Sequence, residues 1–376
     1  MKHTQSIAPT SLTARRKLYL AIATQMLLAA GAQAAPTGGV VVAGEGLIDQ
    51  SGLETTITQN TERLAIDWAS FNVRADERVQ FIQPGETSVA LNRILGNEAS
   101  QIFGRLDANG HVILMNPNGV LFGESATVNV GGLVASGLAI NPDDFMNGDF
   151  ALSAVEGLDG AVINQGIINA ATGGSVALVG KRVANEGLIS AKLGSVTLAA
   201  GKEAVLTFDN EGLLGVRVSQ EILQSELGVE AAVSNSGEIH AERGRILLTG
   251  SVSQDIFSRA VNSGGLNAKT SVVMHEDGSF TLGAGADVVN TGTLDTSSNM
   301  FTLGDAGQIV VLGENIENSG AILADNHSGI HAAGNIEIHS RDTTLITGNS
   351  QIRSANDGLG SGGQIKILGD RVGVLD

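Results

Sequence analysis

Gly110-His111-Val112-Ile113-Leu114-Met115-Asn116-Pro117-Asn118-Gly119-Val120-Leu121-Phe122-Gly123 sets the architecture of the chain. Val112 to Met115 is a short apolar, partly β-branched run, which predicts a buried strand. Asn116-Pro117-Asn118-Gly119 follows as a turn. Pro117 fixes its own φ and pushes Asn116 into the extended region, while Asn118-Gly119 tolerates positive φ. Val120-Leu121-Phe122 restarts an apolar run that Gly123 ends. Alternation resumes over Ala126–Val130 and closes on Gly131-Gly132-Leu133-Val134-Ala135-Ser136. The pattern is strand, tight corner, strand, corner, strand, without a helical period.

Downstream, from about Val155, the sequence repeats. Val162-Ile163-Asn164-Gln165-Gly166-Ile167-Ile168 leads to Gly174-Ser175-Val176-Ala177-Leu178-Val179. Val183-Ala184-Asn185-Glu186-Gly187-Leu188-Ile189 then leads to Gly194-Ser195-Val196-Thr197-Leu198-Ala199. The Asn-x-Gly-x-(Ile/Leu) signature recurs at Asn235, Asn290 and Asn318. Its partner strand recurs at Arg245–Leu248, Gln308–Leu312, Asn335–Ile338 and Gln364–Leu368. A period of about 20 residues with short strands and glycine corners predicts an all-β right-handed parallel β-helix, a solenoid with an N-terminal cap. Aliphatic side chains stack on copies of themselves inside such a coil, whereas rings would crowd it; aromatics make up only 3% of this chain. Asparagine and glycine are expected at the corners because of positive φ or side-chain turn bonds. The Leu-x-x-Leu-x-Leu frame of leucine-rich repeats is missing, and a globular β-sandwich is the rival fold.

Two polar stretches interrupt the period and are expected as β-rich insertions outside the stack. Ala139 to Phe150 predicts a short helix capped at Asn141 or a small hairpin, and Val205 to Ala232 is the second.

Upstream of the opening stretch stand Ile66-Asp67-Trp68-Ala69-Ser70-Phe71-Asn72-Val73, Val79-Gln80-Phe81, Leu91-Asn92-Arg93-Ile94 and Ser100-Gln101-Ile102-Phe103-Gly104-Arg105-Leu106. This ordered series, with the turn after it, resembles the N-terminal secretion (TPS) domain of two-partner-secretion exoproteins, the filamentous haemagglutinin group. It looks most similar to the high-molecular-weight adhesin branch. The resemblance runs from about residue 40 to about residue 260 and more loosely to the end. It implies recognition in the periplasm by a dedicated outer-membrane β-barrel transporter of the TpsB type with POTRA domains, and folding outside the cell. It also implies that Asn116, Pro117, Asn118 and Gly119, together with Asn92, Arg93 and Trp68, form a secretion and folding motif.

The amino terminus reads as an export signal. Lys2, Arg15, Arg16 and Lys17 precede an apolar middle, Leu18–Ala23 and Met26–Ala30, too short to span a membrane readily. Ala32-Gln33-Ala34 is a small-x-small site, so cleavage is expected between Ala34 and Ala35. Removing residues 1–34 leaves 18 basic and 39 acidic residues, a net charge of −21 against −17 for the whole chain. That balance excludes a nucleic-acid partner, since no basic stripe exists to displace phosphate counterions. No further segment has the length of a transmembrane span. The chain contains no cysteine. A long stacked core needs no disulfide staples, and a chain that crosses a pore unfolded, as the resemblance implies, is better without cross-links.

Catalytic patterns are thin. There is no Gly-x-Ser-x-Gly elbow, and without cysteine no thiol catalysis or thiolate metal site. Gly358-Leu359-Gly360-Ser361-Gly362-Gly363 fits a dinucleotide fingerprint in letters, but no crossover helix follows it, so it is expected as a turn. His327, His331 and His339 have ligand-like spacing only on a helix, which Ser328-Gly329 opposes. Asp143-Asp144 and the remaining acids read as solvated corner charge. No catalytic residue, cofactor or metal is therefore expected.

The resulting layout is a signal peptide over 1–34, a secretion domain over 35–265 and further β-helix repeats over 266–376, expected to be truncated because Gly369–Asp376 stops mid-repeat without a cap. The expected role is a secreted or surface-exposed adhesin-type exoprotein of a Gram-negative bacterium, with a host-cell, matrix or bacterial surface receptor. A haem-acquisition exoprotein, the stalk of a contact-dependent toxin and a β-helical polysaccharide-cleaving enzyme are the alternatives.

Overall fold

The computed structural model of the chain describes residues 35–209, 212–220, 222, 227, 231–250, 272–274, 280–282, 286–301 and 303–375. The expected signal segment, with Ala32 and Ala34, lies outside the described residues.

Among the described residues the strands form three long stacked sheets of eleven, nine and eleven strands. The chain visits them in rotation. Its first face holds His111–Met115, its second Val120–Phe122 and its third Thr127–Val130, after which Gly132–Ser136 returns to the first face. Gly132–Ser136 pairs in parallel with His111–Met115 of the preceding coil and with Val176–Gly180 of the next. This is the expected parallel β-helix. The start is antiparallel: Val40–Ala43 pairs with Arg63–Trp68, and Gly46–Ser51 pairs with Glu54–Gln59, closing the first coil as a cap.

Side-chain alternation makes the core. On the first face Leu114, Ala135, Leu178, Leu198, Leu248, Val311 and Ile338 stand in register and point inward. On the third face Leu106, Val128, Ile168, Ile189, Ile239, Leu294 and Ile322 do the same. Each buried aliphatic side chain contributes roughly 1.5–3 kcal/mol before ordering entropy is subtracted. Among the described residues, rings in the inner core are confined to the first coils, as Trp68, Phe71, Phe81 and Phe122.

The second face differs. Asn164, Asn185, Asn235, Asn290 and Asn318 occupy one inward register position and are all buried. Each Nδ2 donates to the Oδ1 of the next, at 2.8, 2.8, 2.8 and 2.6 Å, and Asn318 donates to Ser350 Oγ at 2.5 Å. Asn164, Asn185, Asn235 and Asn318 also bond the carbonyl of the glycine two residues on, as the turn reading expects. The glycine itself is there for a different reason than the one expected. Gly187 does not have positive φ; a Cβ on it would lie 2.2 Å from the carbonyl oxygen of Gly166 one coil below. Close stacking, and not handedness of the backbone, excludes a side chain at this corner.

The helix and the hairpin of the insertions lie outside the stack, whereas Ile222 of the second insertion is buried in the inner core, contrary to the expectation. Pro142–Asn147 is helix α1, capped by the Asn141 side chain, which accepts from Asp143 N, and ended by Gly148 in the left-handed region. Asp143 and Asp144 sit in its first turn, where the helix dipole favours them. Glu203–Asp209 and Gly212–Gln220 form a hairpin, extended by Ala151–Ser153 into a three-stranded sheet. Phe145, Leu152, Leu206, Val216 and Val218 from these pieces cover Ile113, Met115, Val134 and Val179 on the outer side of the first face. His111–Met115 is thus buried on both sides, which accounts for its unbroken apolar run.

A charged cluster bridges coils on the third face. His240 lies between Asp295, 3.8 Å from its Nδ1, and Glu238, 2.9 Å from its Nε2. Asp295 and Glu238 hold the imidazolium on and raise its pKa to about 9, against a smaller opposing effect of burial. Because the folded pKa lies above the ordinary value near 6.5, the stabilisation is complete below about pH 6.5 and is lost as pH rises through 9. His240 is 39% exposed, so solvent screening reduces the expected loss to about 1 kcal/mol. Urea midpoints at pH 6.5 and 9.5 should show this loss in the parent and not in His240→Gln. Equal pH dependence in both would remove the cluster from the account.

Candidate functional site

Asn116 is fully buried and lies at the centre of the corner. Its Oδ1 accepts from Asn118 N and Asn118 Nδ2, both at 3.0 Å. Its Nδ2 donates to Glu98 O at 2.9 Å and to Ser100 Oγ at 3.1 Å. Its backbone N–H reaches Ser136 O at 2.9 Å, and Gly119 N closes the turn on Asn116 O at 2.8 Å. Asn118 Nδ2 adds a bond to Gly96 O at 2.9 Å. Gly119 has φ 118°, as its place in the turn predicts. Pro117 cannot donate, but its carbonyl accepts from Gly160 N at 3.0 Å, and Gly119 O accepts from Ser100 N at 3.0 Å. The corner therefore ties the coil before it, through Gly96, Glu98 and Ser100, to the coil after it, through Ser136 and Gly160.

Asn92 and Trp68 sit inside the stack next to this corner. Trp68 Nε1 donates to Asn92 Oδ1 at 3.0 Å, and Asn92 Nδ2 lies 3.3 Å from Ala90 O and from Ile113 O. Asn92 stands in the inward column between Ile66 and Leu114, a polar rung between apolar ones, and satisfies the buried indole N–H. Phe71 packs edge-on against Trp68 with centroids 5.4 Å apart. Arg93 points the other way. Its Nε and Nη2 bond the two carboxylate oxygens of Asp67 at 2.8 and 2.7 Å, linking successive strands of the first face. The motif thus divides into a corner (Asn116–Gly119), an interior pair (Trp68, Asn92) and an outer ion pair (Arg93). Its parts share neighbours: Arg93 is in register with Met115, which precedes Asn116.

A further buried group has no counterpart in the sequence reading. Gln83 Nε2 donates to Gln59 Oε1 at 3.0 Å, to Ser88 O at 3.1 Å and to His111 O at 3.2 Å, while its Oε1 accepts from Gly110 N at 2.9 Å. It braces the entry to His111–Met115 from the side opposite Asn116. A buried glutamine immediately before Pro84-Gly85 was the only available signal.

Among the described residues no group of three or more histidine and carboxylate side chains is placed to hold a metal ion. His327 and His331 lie in one corner loop and His339 in a strand, with His327 Nδ1 on Asp357 at 2.5 Å. Gly358–Gly363 is an irregular corner, as expected, leading into a strand. No helix among the described residues is long and apolar enough to cross a membrane.

The early coils of a stacked parallel solenoid are thus bonded together through one asparagine corner. The chain matches the TPS secretion domain family over residues 32–296 and belongs to that family. Its export is therefore by two-partner secretion, across the outer membrane to the cell surface or the medium. A heme/hemopexin-binding protein of Haemophilus influenzae (strain ATCC 51907 / DSM 11121 / KW20 / Rd) is 37% identical over 220 residues, 56% of this chain and 23% of that protein. Another heme/hemopexin-binding protein of Haemophilus influenzae is 49% identical over 81 residues, 22% of this chain and 9% of that protein. The matched stretches thus span less than a quarter of these relatives. The crystal structure of the HMW1 secretion domain from Haemophilus influenzae superposes with a TM-score of 0.63 at 22% identity, covering 91% of this chain and all of that one, and shares the fold.

Proposed function

We propose that residues 35–265 form the export and folding unit of an adhesin-type exoprotein, and that Asn116-Pro117-Asn118-Gly119 seeds its stack. A TpsB-type outer-membrane transporter takes up the unfolded chain through its periplasmic POTRA domains. Folding outside then opposes backsliding, because each completed coil buries aliphatic side chains that a retreating chain must expose. The bonding of Asn116 to strands on both sides of its own coil carries this reading, since one corner then fixes the register of the coils around it. Residues 266–376 extend the solenoid toward a surface that meets a host-cell, matrix or bacterial receptor, and the role is not enzymatic. A second reading, haem acquisition, is favoured by the names of the two curated relatives.

Co-expression with and without the partner transporter tests the export reading. The chain is expected in the medium only when the transporter is present; equal release without it overturns the assignment. Titrating the exported protein with haem and with hemopexin separates the two roles, saturable binding favouring the second.

A further inference from the structure

The amino-terminal residues of the described chain are fastened at several points. Gln50 Nε2 donates to Pro36 O at 2.6 Å, Thr37 N donates to Ser70 O at 2.9 Å, and Ala69 N donates to Thr37 O at 2.9 Å. Ala35 N, ahead of these, lies 3.0 Å from Glu77 Oε2. Glu77 is an unusual partner. Its side chain is only 3% exposed, yet its one cationic neighbour among the described residues, Arg74, is 45% exposed and divides its charge. Arg74 Nε lies 3.3 Å from Glu77 Oε1 and 3.4 Å from Asp76 Oδ1. The remaining polar contact of the carboxylate among the described residues is Arg74 N, 2.8 Å from Oε2. A nearly buried carboxylate is thus left with a shared, half-solvated counter-charge, an arrangement that costs stability unless another cation arrives.

We infer that Glu77 receives the amino terminus created by signal cleavage, so that processing locks the cap onto the first coils. The inference rests on cleavage between Ala34 and Ala35. Hydrolysis of that peptide bond consumes one water, leaves a carboxylate on Ala34 and places an ammonium on Ala35. An amide with one N–H becomes a cation with three, at the same 3.0 Å from Glu77. The backbone points the same way. Ala35 has φ 63°, a left-handed conformation that an alanine adopts only at a cost. Once residue 34 is gone that torsion no longer exists, and the cost goes with it. Cleavage therefore supplies a charge where one is missing and removes strain where it is found.

The test uses processed protein recovered after export and three chains: the parent, Glu77→Gln, and a chain with one glycine inserted between Ala34 and Ala35. Mass spectrometry of the parent should show Ala35 as its first residue; another start ends the cleavage reading and the proposal with it. The α-amine is then acylated at pH 7 under native conditions. Pairing with the carboxylate holds the amine in its charged, unreactive form, so the parent should react at least about tenfold more slowly than Glu77→Gln. Should Glu77→Gln not fold, the glycine insertion keeps Glu77 intact, displaces the ammonium and should react as fast as an unfolded control. A parent starting at Ala35 whose amine reacts as fast as that of either variant overturns the ion pair while leaving the cleavage site in place.

Discussion

Asn116→Ala is expected to abolish release of the chain into the medium while the protein still accumulates in the periplasm. The substitution removes the side chain that bonds Glu98 O, Ser100 Oγ and both nitrogens of Asn118. Asn116 is fully buried, so no water replaces these partners without opening the coil. With a net value near 1 kcal/mol per bond, and more for groups left unpaired, the loss is about 3–5 kcal/mol concentrated in the first coils. Pro117→Ala should cost about 1 kcal/mol or less, because proline acts there mainly on the unfolded chain. The double variant Asn116→Ala/Pro117→Ala should thus be exported no better than Asn116→Ala alone. Immunoblots of medium and periplasm, with urea unfolding of the purified chains, measure both effects. Wild-type release of the double variant would refute the role of the corner.

Asn235→Leu should be the most damaging single change in the asparagine column. Asn235 accepts from Asn185 and donates to Asn290, each at 2.8 Å, and bonds Gly237 O at 3.2 Å. Leucine fits the aliphatic interior in size but leaves a donor below it and an acceptor above it without partners. Each unpaired buried group costs about 1–3 kcal/mol, so a loss of about 2–5 kcal/mol is expected. Ile239→Val, in the same coil, removes one methylene and should cost about 0.5–1.5 kcal/mol. Hydrogen exchange should show lost protection at the corners following Asn185 and Asn290. If Asn235→Leu were as stable as the parent, the column would be a packing feature and not a bonded one.

The repeat was legible because aliphatic alternation and Asn-x-Gly corners recur along the chain, and the parallel stack followed from them. What lay beyond reach was anything set by contacts between distant segments. Val112–Met115 reads as a plain buried strand, and only the structure shows that Ile113 and Met115 face a second core built by the insertions. Asparagine before glycine reads as a turn residue whether its amide faces water or the interior, so the column was hidden behind a correct local reading. Asn92, polar between Ala90 and Ile94 on one side of Val89–Ile94, was a visible signal of an interior partner, but nothing in the spacing pointed to Trp68. The corner itself was legible as a turn; its bonds to Gly96, Glu98, Ser136 and Gly160 were not, because they join coils.

The asparagine column also bears on how such chains lengthen. Its successive members are separated by 21, 50, 55 and 28 residues, yet each meets the last with the same geometry. Spacing along the polypeptide is thus uncoupled from spacing along the stack. Genetic insertions of any length are tolerable outside the coil provided that the next amide returns to the column. Surface loops can then diversify while the exported scaffold keeps one unchanging pitch.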